Sequence, residues 1–367
     1  MRRTHRTVKT GAQWEHGSDF HWFDWPAANG ETAPHPWGDR ATFYGSGRDA
    51  LRALLEFGAG EHGWRRLLAP SFYCQEVLHS IVGQPLPVVV YDDAPRATPP
   101  AIHAIDHRPD DVVLIVNHFG IREPPVRLPP QMAIIEDHTH DPWSAWAHRS
   151  SAMYCFASLR KTLPLPDGAV TWSPTLHPLP ASPPLTVERQ LASANRMAGS
   201  LLKRAFLNGH RVDKDAFRAL FLSGEGSISS GAPSGMTPWS KAILGAFPVG
   251  AWRDARLKGW RELRRLLEAS SDLRIIAPEP ASTFVPFALV MVCKDPAERE
   301  KIRTNLIARR VYATILWQLH QPAVNGIPET SVALSERIIV VHCDGRYTEE
   351  DLRLVAAAFE EASHAWP

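Results

Sequence analysis

Ser158-Leu-Arg-Lys-Thr-Leu-Pro-Leu-Pro-Asp-Gly168 is the stretch around which the rest of the chain can be read. Its Lys161 lies downstream of Asp137, which closes the apolar run Met132-Ala-Ile-Ile-Glu-Asp137. A lysine held in a mostly apolar pocket loses its proton readily, and the free amine can condense with an aldehyde. A carboxylate at a neighbouring strand end can keep a pyridine nitrogen protonated. The pair therefore suits pyridoxal phosphate (PLP), whose protonated ring stores carbanion charge.

Outward from this stretch, Gly45-Ser-Gly47 precedes Arg48-Asp-Ala-Leu-Arg-Ala-Leu-Leu-Glu-Phe57, whose Ala50, Leu51, Leu54 and Leu55 recur at helical spacing. Glycines opening a helix let the backbone approach an anion, and the amides of the first turn can hold a phosphate. Residues 67–70 and 88–91 read as short strands, 74–82 as a helix, and 94–110 as loop. The unbroken run Val112-Val-Leu-Ile-Val116 predicts a strand covered on both faces in a parallel sheet. Such alternation points to α/β architecture, in which ligands gather at the carboxyl ends of strands. Asn117, His118, Asp137, His138 and His140 all fall just after such ends.

Several stretches recur in a known order. Tyr44-Gly-Ser-Gly-Arg-Asp-Ala-Leu51, Leu68-Ala-Pro-Ser-Phe-Tyr-Cys-Gln-Glu-Val77, Val113-Leu-Ile-Val-Asn-His-Phe-Gly120, Ile135-Glu-Asp-His-Thr-His140 and the lysine stretch are followed by Leu334-Ser-Glu-Arg-Ile-Ile and Tyr347-Thr-Glu-Glu-Asp-Leu. Together they resemble the DegT/DnrJ/EryC1/StrS family of PLP-dependent, fold-type I aminotransferases. The resemblance implies an α/β fold: a large domain with a mostly parallel seven-stranded sheet, and a small α+β C-terminal domain. On it the chain divides into an aromatic-rich arm (1–40), a PLP-binding domain (41–238) and a small domain (239–367).

The resemblance also implies roles. Lys161 would carry PLP, and Asp137 would face the pyridine nitrogen. Gly47, Arg48 and Asp49 would offer the phosphate cup, with Ser158 adding its hydroxyl and Arg160 adding charge or lying on the surface. His140 stands where the family usually has Gln, facing the ring hydroxyl, which Asn117 or His118 could also reach. His138 replaces a small residue. Strict alignment puts Cys74 at the ring-stacking position, but Tyr73 beside it offers the better face. Trp317 and His320 fall where the family presents residues to substrate.

Bulk properties narrow the function classes. The 367 residues carry 40 basic and 39 acidic side chains, a formal net charge of +1, so no global field draws nucleic acid or a membrane. Cys74, Cys155, Cys293 and Cys343 show no metal-type or CxxC spacing, which argues against a disulfide framework and a zinc site and fits a reducing cytoplasm. No apolar run reaches the length of a membrane span, and the basic start Met1-Arg-Arg-Thr-His-Arg lacks a signal peptide's apolar segment. Residues 1–40 hold Trp14, Phe20, Trp22, Phe23, Trp25 and Trp37 without a period, so they should drape across the body or a partner subunit, with Trp22 or Trp25 either packing or at the substrate mouth. The Gly/Ser-rich residues 223–235 read as a flexible linker, or as a loop reaching the neighbouring subunit's site in the homodimer that the resemblance implies. Further on, the alternating run at 284–293 reads as a strand.

The expected function is transfer of an amino group from glutamate or glutamine to a keto sugar or related ketone or aldehyde. Two readings compete with it. One is another PLP reaction, such as elimination or dehydration, although the family's sugar dehydratases carry His in place of the lysine. The other is a non-catalytic binding protein that keeps the fold.

Overall fold

In the computed structural model, which describes residues 13–17, 19–22, 24, 35–83, 85–96, 98–230, 232–270, 273–276 and 284–364, the apolar runs become a wound α/β body followed by a smaller α+β unit. The first half of the chain runs β1 (His16–Gly17), β2 (Thr42–Tyr44), α1 (Gly47–Glu61), β3 (Arg66–Pro70), α2 (Gln75–Ile81), β4 (Val88–Tyr91), β5 (Asp111–Val116), β6 (Ala133–Asp137), α3 (Ala145–Arg149), β7 (Tyr154–Ala157) and β8 (Ala169–Trp172). The long helices α4 (Val187–Leu207), α5 (Lys214–Ser230), α6 (Pro238–Ala246) and α7 (Val249–Ser270) follow. The chain continues through β9 (Arg274–Ile276), β10 (Leu289–Val292), α8 (Pro296–Ala308), β11 (Val311–Tyr312), α9 (Glu329–Ser335), β12 (Ile338–Val341) and α10 (Glu349–His364).

Seven strands form one sheet in the order β2-β8-β7-β6-β5-β3-β4. Neighbours from β4 through β7 pair in parallel, and β8 is antiparallel to both β7 and β2. The expected mostly parallel seven-stranded sheet is thus present. Both of its faces are covered, which is why β5 reads as an unbroken apolar run. Val113, Ile115 and Ile134 pack on one side with Trp143, Trp146 and Trp172, while Val112, Leu114 and Ile135 pack on the other with Leu51, Leu54 and Leu55 of α1. In the smaller unit, β12-β10-β9 form an antiparallel sheet packed on Leu263 of α7, Ile302 of α8 and Phe359 of α10.

The structure corrects two local expectations. Residues 223–230 are neither linker nor intersubunit loop; they are the last turns of α5. Gly224 is the reason the helix fits there: a β-carbon at this position would lie 2.5 Å from Arg196 Cγ and 2.8 Å from the Ala192 carbonyl, so the missing side chain lets α5 press onto α4. The alternating run at 284–293 forms a strand only over Leu289–Val292. Before it, the Phe287 amide donates to the Phe119 carbonyl at 2.8 Å, which carries this segment toward the end of β5 rather than along the small sheet.

The described part of the arm drapes across this chain's own body. β1 pairs in parallel with β11, Trp14 Nε1 donates to Asp351 at 2.8 Å, and Lys203 Nζ donates to the Asp19 carbonyl at 2.8 Å. Trp25 and the first twelve residues lie outside the described residues. Among the described residues no helix is long and apolar enough to cross a membrane, and all four cysteines are free thiols.

Candidate active site

A cavity of about 320 Å³ opens at the carboxyl ends of β5, β6 and β7, within the usual range of roughly 300–1,000 Å³ for small-molecule sites. The lysine turn forms one wall. Leu159–Lys161 is a single 3-10 turn, anchored by Leu159 and Leu163, both buried, and by the Leu159 amide donating to the Gly168 carbonyl at 3.0 Å. Gly168 has φ +129°, and a β-carbon there would meet Met236 Cε at 2.6 Å, so the turn requires glycine. Trp252 Nε1 and Arg256 Nη2 both donate to the Thr162 carbonyl, tying the turn to α7. Asp167, fully buried, accepts from the hydroxyls of Ser193, Thr237 and Ser240 and from the Thr237 amide.

Lys161 is solvent-exposed, and its side chain borders the cavity. The neighbouring Arg160 guanidinium and the surrounding burial push the Lys161 ammonium down to about 8. A sizeable fraction of free amine is therefore available near neutrality.

Asp137 closes β6 and lines the same cavity. Its Oδ1 accepts from the Thr139 amide at 2.8 Å and its Oδ2 from the Tyr73 hydroxyl at 2.8 Å. Burial raises this carboxyl above its usual range, against the opposing bonds from Thr139 and Tyr73. Beside it, His140 Nδ1 accepts from the Phe119 amide at 2.9 Å, which assigns the proton to Nε2. Burial pushes His140 down to about 3, so it stays neutral. Its ring stacks with those of Phe119 and Trp317, at centroid distances of 5.4 and 5.5 Å.

The opposite end is a cup at the start of α1. Ser46 caps the helix and its Oγ accepts from the Asp49 amide at 3.2 Å, which leaves the Gly47 and Arg48 amides for an external anion. A β-carbon on Gly47 would lie 3.0 Å from Ser158 Cβ, so glycine allows the cup and the lysine turn to close on each other. Three guanidinium groups converge nearby on Glu225 of α5. Arg160 Nη2 is 2.8 Å and Arg48 Nη2 is 3.2 Å from Oε1, and Arg196 Nη1 is 3.2 Å from Oε2.

Of the residues singled out in the sequence, the cavity brings together Gly47, Arg48, Tyr73, Cys74, Asp137, His140, Ser158, Arg160, Lys161 and Trp317. Asp49, Asn117, His118, His138 and His320 do not line it. The Asp49 amide, expected as a phosphate donor, donates instead to Ser46 Oγ at 3.2 Å, and the Asp49 carboxylate turns onto Arg189 at 2.7 Å. Asn117 Oδ1 accepts from the Arg122 amide at 3.3 Å, and His118 Nε2 bonds the Phe72 carbonyl at 2.7 Å. His320 is exposed. His138 also faces away, with its Nε2 2.9 Å from Glu136 Oε2 and its ring edge-on to Trp146. Among the described arm aromatics, Phe20 rather than Trp22 lines the cavity.

Sequence reasoning missed Thr139, Phe156, Arg196, Glu225, His342 and Arg346, all of which line the cavity. Only Thr139 carried a signal, since it sits between two residues already singled out. Residues that could hold an aldehyde cofactor are present at both ends: an amine beside an anion cup and a buried carboxylate opposite. They fit PLP, because the cup has free amides, a hydroxyl and no β-carbon in the way.

No protein-family model matches the chain, and no curated protein matches it in sequence. Solved structures do. Spr1654 from Streptococcus pneumoniae in its PMP form is 13% identical over 88% of this chain and 86% of its own, with a TM-score of 0.56. The aminotransferase TlmJ from Streptoalloteichus hindustanus is 14% identical over 88% and 85%, with a TM-score of 0.56. The sugar aminotransferase CalS13 from Micromonospora echinospora is 12% identical over 89% and 87%, with a TM-score of 0.52. At such identities architecture is what is shared: the chain has the fold-type I aminotransferase fold, a large mixed α/β domain with a mostly parallel seven-stranded sheet joined to a smaller α+β unit.

Proposed function

We propose that the chain is a PLP-dependent aminotransferase of the DegT/DnrJ/EryC1/StrS family. The observation that carries the reading is the Lys161 amine, pushed down to about 8, in one cavity with the Asp137 carboxylate. Lys161 would hold the cofactor through its ε-amine, and Asp137 would face the ring nitrogen. The Gly47 and Arg48 amides and the Ser158 hydroxyl would take the phosphate. The His140 Nε2–H would offer the ring hydroxyl the hydrogen bond that the family's Gln supplies. Bound there, the cofactor supplies an electron sink for charge developing at the amino donor's α-carbon.

The chain's own groups do the rest. Lys161 Nζ would be the base nearest neutrality in the cavity and could take and hold a proton from that carbon. Tyr73 and Thr139 orient Asp137 by two hydrogen bonds, so its charge stays aimed into the cavity. Phe156, Phe287 and Trp317 line the walls and keep water from the reacting atoms.

Glutamate or glutamine as donor, a keto sugar or related ketone or aldehyde as acceptor, a homodimer with shared sites, a cytoplasmic location and a division of the chain near residue 238 belong to the same proposal. They are supported by the order of the sequence motifs and by the name of CalS13 as a sugar aminotransferase. The test is spectroscopic. Protein loaded with PLP should show a visible band that shifts with glutamate and is absent in Lys161→Ala, and products from a panel of keto sugars should carry a new amine. A band indifferent to every amino donor would leave a binding protein instead.

A further inference from the structure

The guanidinium cluster around Glu225 is more than the proposed reaction asks for. Arg48, Arg160 and Arg196 have side-chain exposures of 10%, 5% and 9%, and Arg160 Nε is buried without a hydrogen-bond partner. Arginine presents a planar fork suited to carboxylate and phosphate oxygens, and burying such forks without an anion is costly. Glu225 pairs with all three groups, and two of them share its Oε1; the other carboxylates, Asp19 on Arg196 at 3.2 Å and Glu76 on Arg48 at 3.8 Å, come from more exposed positions. A phosphate group offers more acceptor oxygens and up to twice the charge.

The segment that delivers Glu225 is weak for a helix. Gly224 is explained by its packing on α4, but a β-carbon at Gly226 would meet nothing within 4 Å. An interior glycine costs a helix about 1 kcal/mol relative to alanine. Gly226 therefore loosens the end of α5 next to Glu225 with no gain in packing.

We propose that Arg48, Arg160 and Arg196 form a binding site for a phosphate-class dianion beside the α1 cup, and that Glu225 is a built-in stand-in that occupies it until the dianion displaces it. The ligand's phosphate can come from the cofactor or from a phosphorylated acceptor. Only that choice of source rests on the aminotransferase reading; the site itself does not.

The experiment is titration of the full chain, free of cofactor, with inorganic phosphate at low salt, followed by calorimetry. Glu225→Gln keeps the side-chain volume and removes the competing charge, so phosphate should bind at least about tenfold tighter than to wild type, a gain of about 1.4 kcal/mol. Gly226→Ala strengthens the helix that holds the stand-in, and should weaken phosphate several-fold. Arg160→Gln should lose most of the binding. In wild type, amide exchange over 223–230 should speed up when phosphate is added. Unchanged or weaker phosphate binding in Glu225→Gln overturns the proposal, and so does slower exchange over 223–230.

Should Glu225→Gln fail to fold, as circular dichroism would reveal, Gly226→Ala and the wild-type exchange carry the test. Repeating the titration on PLP-loaded protein separates the sources. Loss of phosphate binding assigns the site to the cofactor's phosphate, and retained binding assigns it to an acceptor. A chain that binds phosphate as expected yet never forms a visible band with PLP keeps this site and loses the aminotransferase reading. A band without the Glu225→Gln effect does the reverse.

Discussion

The Tyr73 hydroxyl donates to Asp137 Oδ2 at 2.8 Å, so the aromatic expected to lie against a cofactor ring also steadies the carboxylate at its far end. Burial raises the Asp137 carboxyl above its usual range, so its ionised form costs stability once pH exceeds the ordinary carboxylate range. Tyr73 offsets part of that cost. Tyr73→Phe should lose about 1–3 kcal/mol in urea unfolding near neutral pH, and the loss should shrink as pH falls toward the ordinary carboxylate range.

For Lys161 the folded pKa of about 8 lies below the ordinary value of 10.5. The charged form therefore costs stability in full below about pH 8, and the cost fades as pH rises toward 10.5. Lys161→Met should accordingly be more stable than wild type at neutral pH and lose that advantage in alkali. Labelling of Lys161 by a small amine reagent should rise with pH and level off above about 8, and Arg160→Gln should move that midpoint upward, since Arg160 is the largest influence on it.

Asp167 accepts from three hydroxyls and an amide in a fully buried position behind the lysine turn. Asp167→Ala strands those donors. It should cost roughly 3–5 kcal/mol by denaturant unfolding, and it should broaden the pH profile of Lys161 labelling, because the turn would no longer hold one position.

Glu15 pairs with Lys203 at 2.9 Å and Lys214 at 2.7 Å, and the Glu15 and Lys203 side chains are each only 2% exposed. Burial alone would raise the Glu15 carboxyl, but the two lysines hold it below its usual range. Its contribution is thus present above the ordinary carboxylate range and is lost as pH falls through and below it. Glu15→Ala leaves Lys203 without its carboxylate and should cost about 3 kcal/mol near neutrality, a difference that thermal melts at acidic pH should see diminish.

What the sequence disclosed depended on how locally each feature is encoded. β5 declared itself because a strand covered on both faces needs no polar alternation, and Lys161, Asp137, Ser158 and Gly47 stood in short stretches with a chemical logic of their own. Asn117 and His118 were rightly put at a strand end. The chain then turns through Phe119 at φ +55°, and both side chains finish on backbone groups away from the cavity. Arg196 and Glu225 were invisible because they meet only through the packing of α4 on α5. The glycines that permit this packing look like helix breakers in isolation. Phe287, His342 and Arg346 reach the cavity from the far end of the chain, a juxtaposition that no local pattern records.

The arm also sets a schedule for biosynthesis. Asp19 and Phe20 complete the cavity wall, yet their neighbours Gln13 to Gly17 are held by Arg310, Val311, Tyr347 and Asp351, some 300 residues later. During synthesis the sheet that carries Lys161 can assemble while this wall still waits for α4, whose Lys203 and Ser200 donate to the Asp19 and Phe20 carbonyls, and then for the later anchors of its neighbours to leave the ribosome. A nascent chain released early would own the lysine and its carboxylate but lack one side of the chamber around them.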